Sequence, residues 1–260
     1  MSPAESRPAE SRPAESSTPP LTLYGSLRWG VVEPLLPASL GRVLEVGCGQ
    51  GAVAARLAAR AASYTGLELD ESSAMVARER LVDAGSGGRV LQGSLDALGP
   101  DVRFDLVCAF EVIEHIEDDA AALAEWAARL APGGVLLVST PAWQSRFGPM
   151  DTAVGHFRRY DPPALRALLA GAGLQGVGQR LYGVPLGYAL EAVRNQVARR
   201  RPGLRSEGST ADRTARSGRL FQPTTAAQGR LVSAATWPFR LAQRGFPGTG
   251  TGLVAWGTAP

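Results

Sequence analysis

The stretch Val43-Leu44-Glu45-Val46-Gly47-Cys48-Gly49-Gln50-Gly51-Ala52-Val53-Ala54 decides how the chain is read. An apolar run with strand character meets three alternating glycines, and a helical pattern (Ala54, Ala55, Leu57, Ala58) follows at once. Strand, glycine turn and helix form the start of a nucleotide-binding α/β unit. A glycine turn takes positive φ and lets a ligand touch the main chain where no Cβ intervenes. The helix that opens there offers unpaired N–H groups to polar ligand atoms.

Outward from that stretch, strands and helices alternate. Hydrophobic periodicity predicts strands at 42–46, 64–69, 90–92, 104–110, 135–140, 177–181 and 252–258. It predicts helices at 24–36, 51–60, 72–84, 120–131, 162–172, 186–200 and 237–246, the fourth terminated by Pro132-Gly133-Gly134. The run 104–110 is apolar apart from Asp105, which suits a parallel strand covered on both faces. Repeated β-α units of this length imply the α/β class and an open, mostly parallel sheet with helices on both faces. Residues 1–20, where Pro-Ala-Glu-Ser-Arg recurs almost perfectly, read as a disordered tail. Residues 21–182 read as the core and 183–245 as a cap or insertion. Within the cap, 202–228 is rich in Gly, Ser, Thr and Arg and reads as mobile. Residues 246–260 return to the core as a closing strand.

Composition narrows the classes further. A chain of 260 residues can bury a full core. Its net charge of +3 does not argue for nucleic acid, and the arginines of 194–219 are not interleaved with aromatics, so no nucleic-acid partner is expected. That Arg-rich stretch has three readings: a cap over an acceptor pocket, a contact for a membrane surface or an acidic carrier protein, or a solvated linker. All 27 basic residues are arginine, the pattern of a GC-rich, bacterial genome. Cys48 and Cys108 are too few for a disulfide framework or a zinc site, and no metal is expected. With no apolar run of membrane-spanning length and no apolar leader, a cytoplasmic protein is expected.

Glycine spacing alone leaves the ligand open. Gly47-x-Gly49-x-x-Ala52 also fits a dinucleotide fingerprint, with Glu68 about 20 residues on for a ribose hydroxyl. A nicotinamide-dependent oxidoreductase therefore stays open at this point. Glu45, two residues before the first glycine, suits a ligand carrying an ammonium or sulfonium group better than one carrying a pyrophosphate.

Further pieces follow in order. They are Thr65-Gly66-Leu67-Glu68-Leu69-Asp70, then Phe104-Asp105-Leu106-Val107 leading to Glu111-Val112-Ile113-Glu114-His115-Ile116. Leu130-Ala131-Pro132-Gly133-Gly134-Val135-Leu136 and Gly155-His156-Phe157-Arg158-Arg159-Tyr160 complete the set. Over residues 40–182 the chain resembles the class I S-adenosylmethionine-dependent methyltransferases, particularly the small-molecule group that includes ubiquinone-biosynthesis O-methyltransferases. The resemblance implies a Rossmann-like, seven-stranded sheet whose last strand is antiparallel, and S-adenosyl-L-methionine as cofactor. By the same resemblance, Gly47, Gly49 and Gly51 pass under the methionine portion with Glu45 beneath, and Glu68 takes the ribose hydroxyls. Ser94 and Leu95 line the adenine, Leu69 is a further cofactor-binding residue, and Phe110 and Glu111 flank the methionine moiety. Many members carry aspartate where this chain has Ser94.

Methyl transfer aligns nucleophile, methyl and sulfur in line and often removes a proton, work suited to a base with pKa near neutral. The two histidines, His115 and His156, both fall just past predicted strand ends, the edge where ligands bind in open α/β sheets. Both are catalytic candidates. The structural alternatives are that His115 caps a turn beside a solvated Glu114, and that His156 belongs to a lid held by Arg158 and Arg159 pairing with Asp151 or Asp161. Tyr160 reads as packing, Asp118 and Asp119 as helix-start carboxylates, and Arg28 as a surface arginine rather than a cofactor contact. The expected function is methyl transfer to a small-molecule acceptor, with oxygen as the accepting atom. An oxidoreductase and a non-catalytic S-adenosylmethionine-binding protein are the competing readings.

Overall fold

The computed structural model describes residues 18–200 and 225–260. Tail residues 1–17, most of the 202–228 stretch and residues 201–219 of the Arg-rich segment lie outside the described residues. Within them, seven strands form one sheet in the order β3-β2-β1-β4-β5-β7-β6. They are β1 Arg42–Val46, β2 Ser63–Glu68, β3 Arg89–Gln92, β4 Phe104–Phe110, β5 Leu130–Pro141, β6 Gln175–Gly183 and β7 Gly250–Thr258. β1 to β5 pair in parallel, and β7 runs antiparallel to both β5 and β6. This is the Rossmann-like architecture the resemblance implied, with the closing strand inserted next to the sheet edge.

Side-chain alternation explains why both faces are covered. On β4, Leu106, Cys108 and Phe110 enter one apolar cluster, while Val107 and Ala109 enter the other. On β1, Val43 and Leu44 divide the same way, as do Val254 and Ala255 on β7. Strand residues point alternately to opposite faces, so a near-continuous apolar run is what a doubly covered strand requires. The first face packs against α1 Leu23–Val32, α2 Ala54–Ala58 and α3 Glu71–Asp83, the second against α4 Asp119–Ala128 and α6 Pro162–Gly171. Both cysteines are free and buried, and burial raises both thiol pKa values.

Several predicted boundaries move, each for a local reason. The helix expected over 120–131 stops at Ala128, and Pro132-Gly133-Gly134 begins β5 instead of capping a helix. The C-terminal end of the chain pairs with it: Ala259 N–H donates to the Gly134 carbonyl at 2.8 Å. α2 starts at Ala54 rather than 51, because Gly51 still holds a positive φ of 77° in the turn. The helix expected over 24–36 gives way after Val32 to a tighter turn, Glu33–Leu35, around Pro34. The short helix expected over 237–246 is a longer one, Ala226–Ala242. Its start was readable: Thr225 and Gln228 form a capping box.

Three more helices complete the fold: α5 Pro149–Val154, α7 Leu186–Arg200 and α8 Ala226–Ala242. α5 was not foreseen; it packs against α7. α8 lies along α1, where Thr236 and Ser26 share a hydroxyl–hydroxyl hydrogen bond of 2.7 Å. No helix among the described residues is long and apolar enough to cross a membrane.

Candidate functional site

A cavity of about 900 Å³ opens over the C-terminal ends of β1, β2 and β4 and extends beneath α1, α5 and α7. It gathers Glu45, Gly47, Gly49, Glu68, Leu69, Ser94, Leu95, Phe110, Glu111, His115 and His156 around one space. Gly51 is the exception among the expected ligand contacts. A Cβ there would come within 2.9 Å of Ala77 Cα, so Gly51 lets α3 approach the loop and does not line the cavity. Gly49 is the opposite case. Its φ is +55°, and a Cβ would meet nothing within 4 Å, so bare backbone faces open space.

The carboxylates surround that backbone. Glu68, at the end of β2, accepts from Gly49 N–H at 2.9 Å and from Asp70 N–H at 3.0 Å, one bond to each oxygen. A carboxylate has about four acceptor positions, so both oxygens keep capacity for further donors. Glu45 is almost fully buried and accepts the Tyr64 hydroxyl at 2.6 Å. Burial pushes its carboxyl up to about 7, against the pull of Tyr64 and Arg28. Glu111 takes a positive φ of 59°, a rare conformation for a residue with a side chain. It is held there by Ser139 Oγ donating at 3.0 Å and the Tyr182 hydroxyl at 3.2 Å, both to Oε1.

Arg28 departs from its expected place on the surface. Its side chain is 15% exposed, lies 3.5 Å from Glu111 Oε1 and stacks over Phe110 at 5.3 Å. It lines the cavity from α1. Leu69, by contrast, is 56% exposed on the cavity wall. Ser94 turns its hydroxyl to Asp96 at 3.1 Å, and Asp96 also lines the cavity, two residues beyond the position where family members often carry the acid.

The two histidines meet edge to face with ring centroids 4.6 Å apart. His156 Nδ1 lies 2.9 Å from Asp151 Oδ1. Burial alone would raise the Asp151 carboxyl, but hydrogen bonds from His156 and Arg159, with the Arg159 charge, hold it at about 2. An ionised carboxylate only accepts, so Nδ1 carries the hydrogen and Nε2 keeps its lone pair in neutral His156. Glu114 is not the solvated neighbour expected from sequence. It is fully buried, and burial, with Glu111 nearby, pushes its carboxyl well above the usual range. Its Oε1 lies 3.9 Å from His156 Nε2. Donor atoms of Glu114, His115 and His156 lie within 4.8 Å of one another, a spacing one divalent cation could bridge.

Behind the histidines runs a chain of alternating charges. Arg159 grips Asp151 with Nε at 2.9 Å and Nη2 at 2.7 Å, and its Nη1 reaches Glu191 on α7 at 2.8 Å. Arg146 closes on Glu191 from the other side at 2.8 Å. Of the two pairings expected for Arg158 and Arg159, the Asp151 one is present. Arg158 instead binds Asp119 at 2.7 Å, which also accepts the buried Tyr160 hydroxyl at 2.7 Å. Asp118 and Asp119 both sit at the start of α4 as expected, Asp118 accepting from Ala121 N–H. Sequence reading did not single out Ser139, Tyr182 or Glu191. Ser139 and Tyr182 meet Glu111 from β5 and β6, and Glu191 meets Arg159 from α7, contacts that no local pattern announces.

Sheet order, glycine loop and acid-lined cavity together define the Rossmann-like class of cofactor-binding folds. A family model described as methyltransferase domain matches residues 29–179, more than half of the chain, and the chain belongs to that family. A ubiquinone biosynthesis O-methyltransferase of Paracidovorax citrulli is 35% identical over 124 residues, covering 46% of this chain and 52% of that protein. A probable S-adenosylmethionine-dependent methyltransferase of Mycolicibacterium smegmatis is 38% identical over 152 residues, 56% of each chain. The chain thus spans about half the length of the curated relatives it matches. Among solved structures, the YcgJ protein of Bacillus subtilis shares the fold with a TM-score of 0.58 at 16% identity, over 91% of this chain and 98% of that one.

Proposed function

We propose that this protein transfers a methyl group from S-adenosyl-L-methionine to a small-molecule acceptor, with oxygen as the accepting atom. The observation that carries the reading is the meeting, in one cavity, of bare Gly49 backbone with the Glu45 and Glu68 carboxylates. That set of acceptors fits the cofactor: acidic groups for an ammonium, a sulfonium and a pair of ribose hydroxyls, and open space where its chain would pass. Membership in the methyltransferase-domain family and the likeness to an O-methyltransferase support the same reading.

When bound, S-adenosylmethionine supplies a methyl carbon on a sulfonium sulfur, which passes to the acceptor oxygen and leaves S-adenosylhomocysteine. Glu68 binds the ribose hydroxyls, using the acceptor capacity left beside Gly49 and Asp70. Glu45 supplies negative charge below the methionine portion once a cation displaces its proton. Leu69, Ser94 and Leu95 flank the adenine, and Phe110 and Glu111 border the methionine end. Arg28 meets the cofactor carboxylate. His156 takes the acceptor hydroxyl proton on Nε2, with Nδ1–H held by Asp151, and His115 walls the acceptor beside it. Isothermal titration with S-adenosylhomocysteine and, separately, NAD tests the reading. One-to-one binding of the former is expected; binding of NAD alone, or of neither, overturns it.

A further inference from the structure

The helix α8 carries apolar side chains on both of its faces. Its inner face, with buried Thr236 and half-buried Val232 and Phe239, lies along α1. Thr236 meets the Ser26 hydroxyl there, and Phe239 packs on the core. The turn that follows is pinned as well. Gln243 is buried, donates to the Leu27 carbonyl at 2.8 Å and accepts from Gly183 N–H at 3.0 Å. The outer face reverses the usual polarity of a surface helix. Leu231 is 71% exposed, Trp237 63% and Leu241 53%, with Ala234 and Pro238 exposed between them. At 3.6 residues per turn all five fall on one side, so they form a single apolar stripe. Phe246, just beyond the helix, is exposed too. Contiguous apolar surface of this kind marks an interaction site more often than scattered single side chains do.

Arginines edge the stripe. Arg230 and Arg244, both exposed, stand four residues before Ala234 and three after Leu241, on the line that runs through Trp237. Arg240 lies on the α1 side, 3.9 Å from Glu33. No Asp or Glu follows Asp212 in the sequence, so the helix brings no acidic side chain of its own. We propose that the outer face of α8 docks on an anionic lipid surface, with Leu231, Trp237 and Leu241 at the acyl boundary and Arg230 and Arg244 among the headgroups. Large apolar side chains on one face, with arginine beside them, are what a helix lying in a membrane interface requires. Anionic headgroups supply the negative charge that the helix lacks. A second copy of the chain fits less well. Pairing α8 with itself across a twofold axis brings the arginines of both copies together with no acid on the helix between them. The surface also adjoins the cavity: Gly229 lies so close to Pro20 that a Cβ would collide with it, and Leu21, Thr22 and Leu23 line the cavity wall. The proposal stands independently of the methyltransferase reading.

The test mixes the full chain with sedimentable vesicles of phosphatidylcholine alone, or with about 30% phosphatidylglycerol. Binding to the anionic vesicles is expected to be at least about tenfold tighter at low salt, and to weaken strongly at about 0.5 M sodium chloride. Arg230→Gln with Arg244→Gln should remove most of the preference for anionic lipid. Leu231→Asn with Leu241→Asn should weaken binding at least about tenfold and leave the urea unfolding midpoint unchanged, because both side chains are exposed. A third variant, Trp237→Phe, keeps the apolar bulk and reports insertion. Bromine-labelled acyl chains should quench wild-type fluorescence more than that of Trp237→Phe, since the other four tryptophans are buried or half-buried. No binding to anionic vesicles, equal affinity for neutral ones, or quenching unchanged in Trp237→Phe overturns the lipid surface. So does a dimer in sedimentation velocity, or a complex with an acidic protein, that the paired leucine substitutions disperse while vesicles go unbound.

Discussion

Replacing Glu45 by Gln is expected to make stability less dependent on pH while weakening the cofactor site. Glu45 lies 3% exposed under the glycine loop, and burial lifts its carboxyl from 4.5 to about 7. A carboxyl raised on folding contributes stability that is fully present below its unfolded pKa and is lost as pH rises through the folded value. The window is therefore pH 4.5 to 7. At 1.36 kcal/mol per pH unit, the loss across it is about 3 kcal/mol. Glutamine cannot ionise, yet its carbonyl still accepts the Tyr64 hydroxyl. Urea unfolding of both proteins at pH 4.5 and pH 8 gives the difference directly. The stability of Glu45→Gln relative to wild type should rise by about 3 kcal/mol between those pH values, whatever fixed cost the amide carries. Cofactor binding at pH 7 should release about half a proton from wild type, because a bound cation ionises Glu45, and none from the variant. Parallel stability profiles, within about 0.5 kcal/mol, would refute the buried-acid reasoning.

Further outcomes separate packing from binding. Gly51→Ala should lose about 2–4 kcal/mol of stability, from left-handed strain and the contact with Ala77. Gly49→Ala should lose only about 1–2 kcal/mol but weaken S-adenosylhomocysteine binding more than tenfold, since its Cβ enters space the ligand needs; equal effects in binding titrations would contradict this. Asp151→Asn should cost about 3–5 kcal/mol in denaturant melts by breaking a buried pair. In wild type the Asp151 contribution, present above pH 3.8 and lost as pH falls through about 2, is worth about 2 kcal/mol. With an acceptor in hand, His156→Ala and His115→Ala should cut turnover about 10²–10⁴-fold and about tenfold respectively. Cofactor affinity should change little, and unchanged turnover would reduce either histidine to structure.

The sheet and the glycine-loop end of the cavity were legible because their signals are local. Strand alternation, the glycine turn, and Glu45 and Glu68 at strand ends each depend on a few consecutive residues. Pro132-Gly133-Gly134 misled because it reads as a helix stop, whereas pairing with Ala259, about half the chain away, draws it into β5. Arg28 misled because its burial is set by Glu111 and Phe110 from β4 and the turn after it, not by its own helix. The end of the cavity under α7 was least legible. Glu191 and Arg194 lie on α7, and their partners Arg159 and Tyr24 are remote in sequence. Nothing local says that Arg194 of that helix lines the cavity. Residues of one type scattered over a sequence acquire chemistry only when the fold brings them together.

A crystal structure of the complex with S-adenosylhomocysteine tests the assignment most directly. The expected result is ribose hydroxyls on the Glu68 carboxylate, adenine beside Leu69 and Leu95, and sulfur directed toward His115 and His156. Adenine lying between the histidines, with the amino-acid tail at Ser94, would contradict it, as would density outside the cavity.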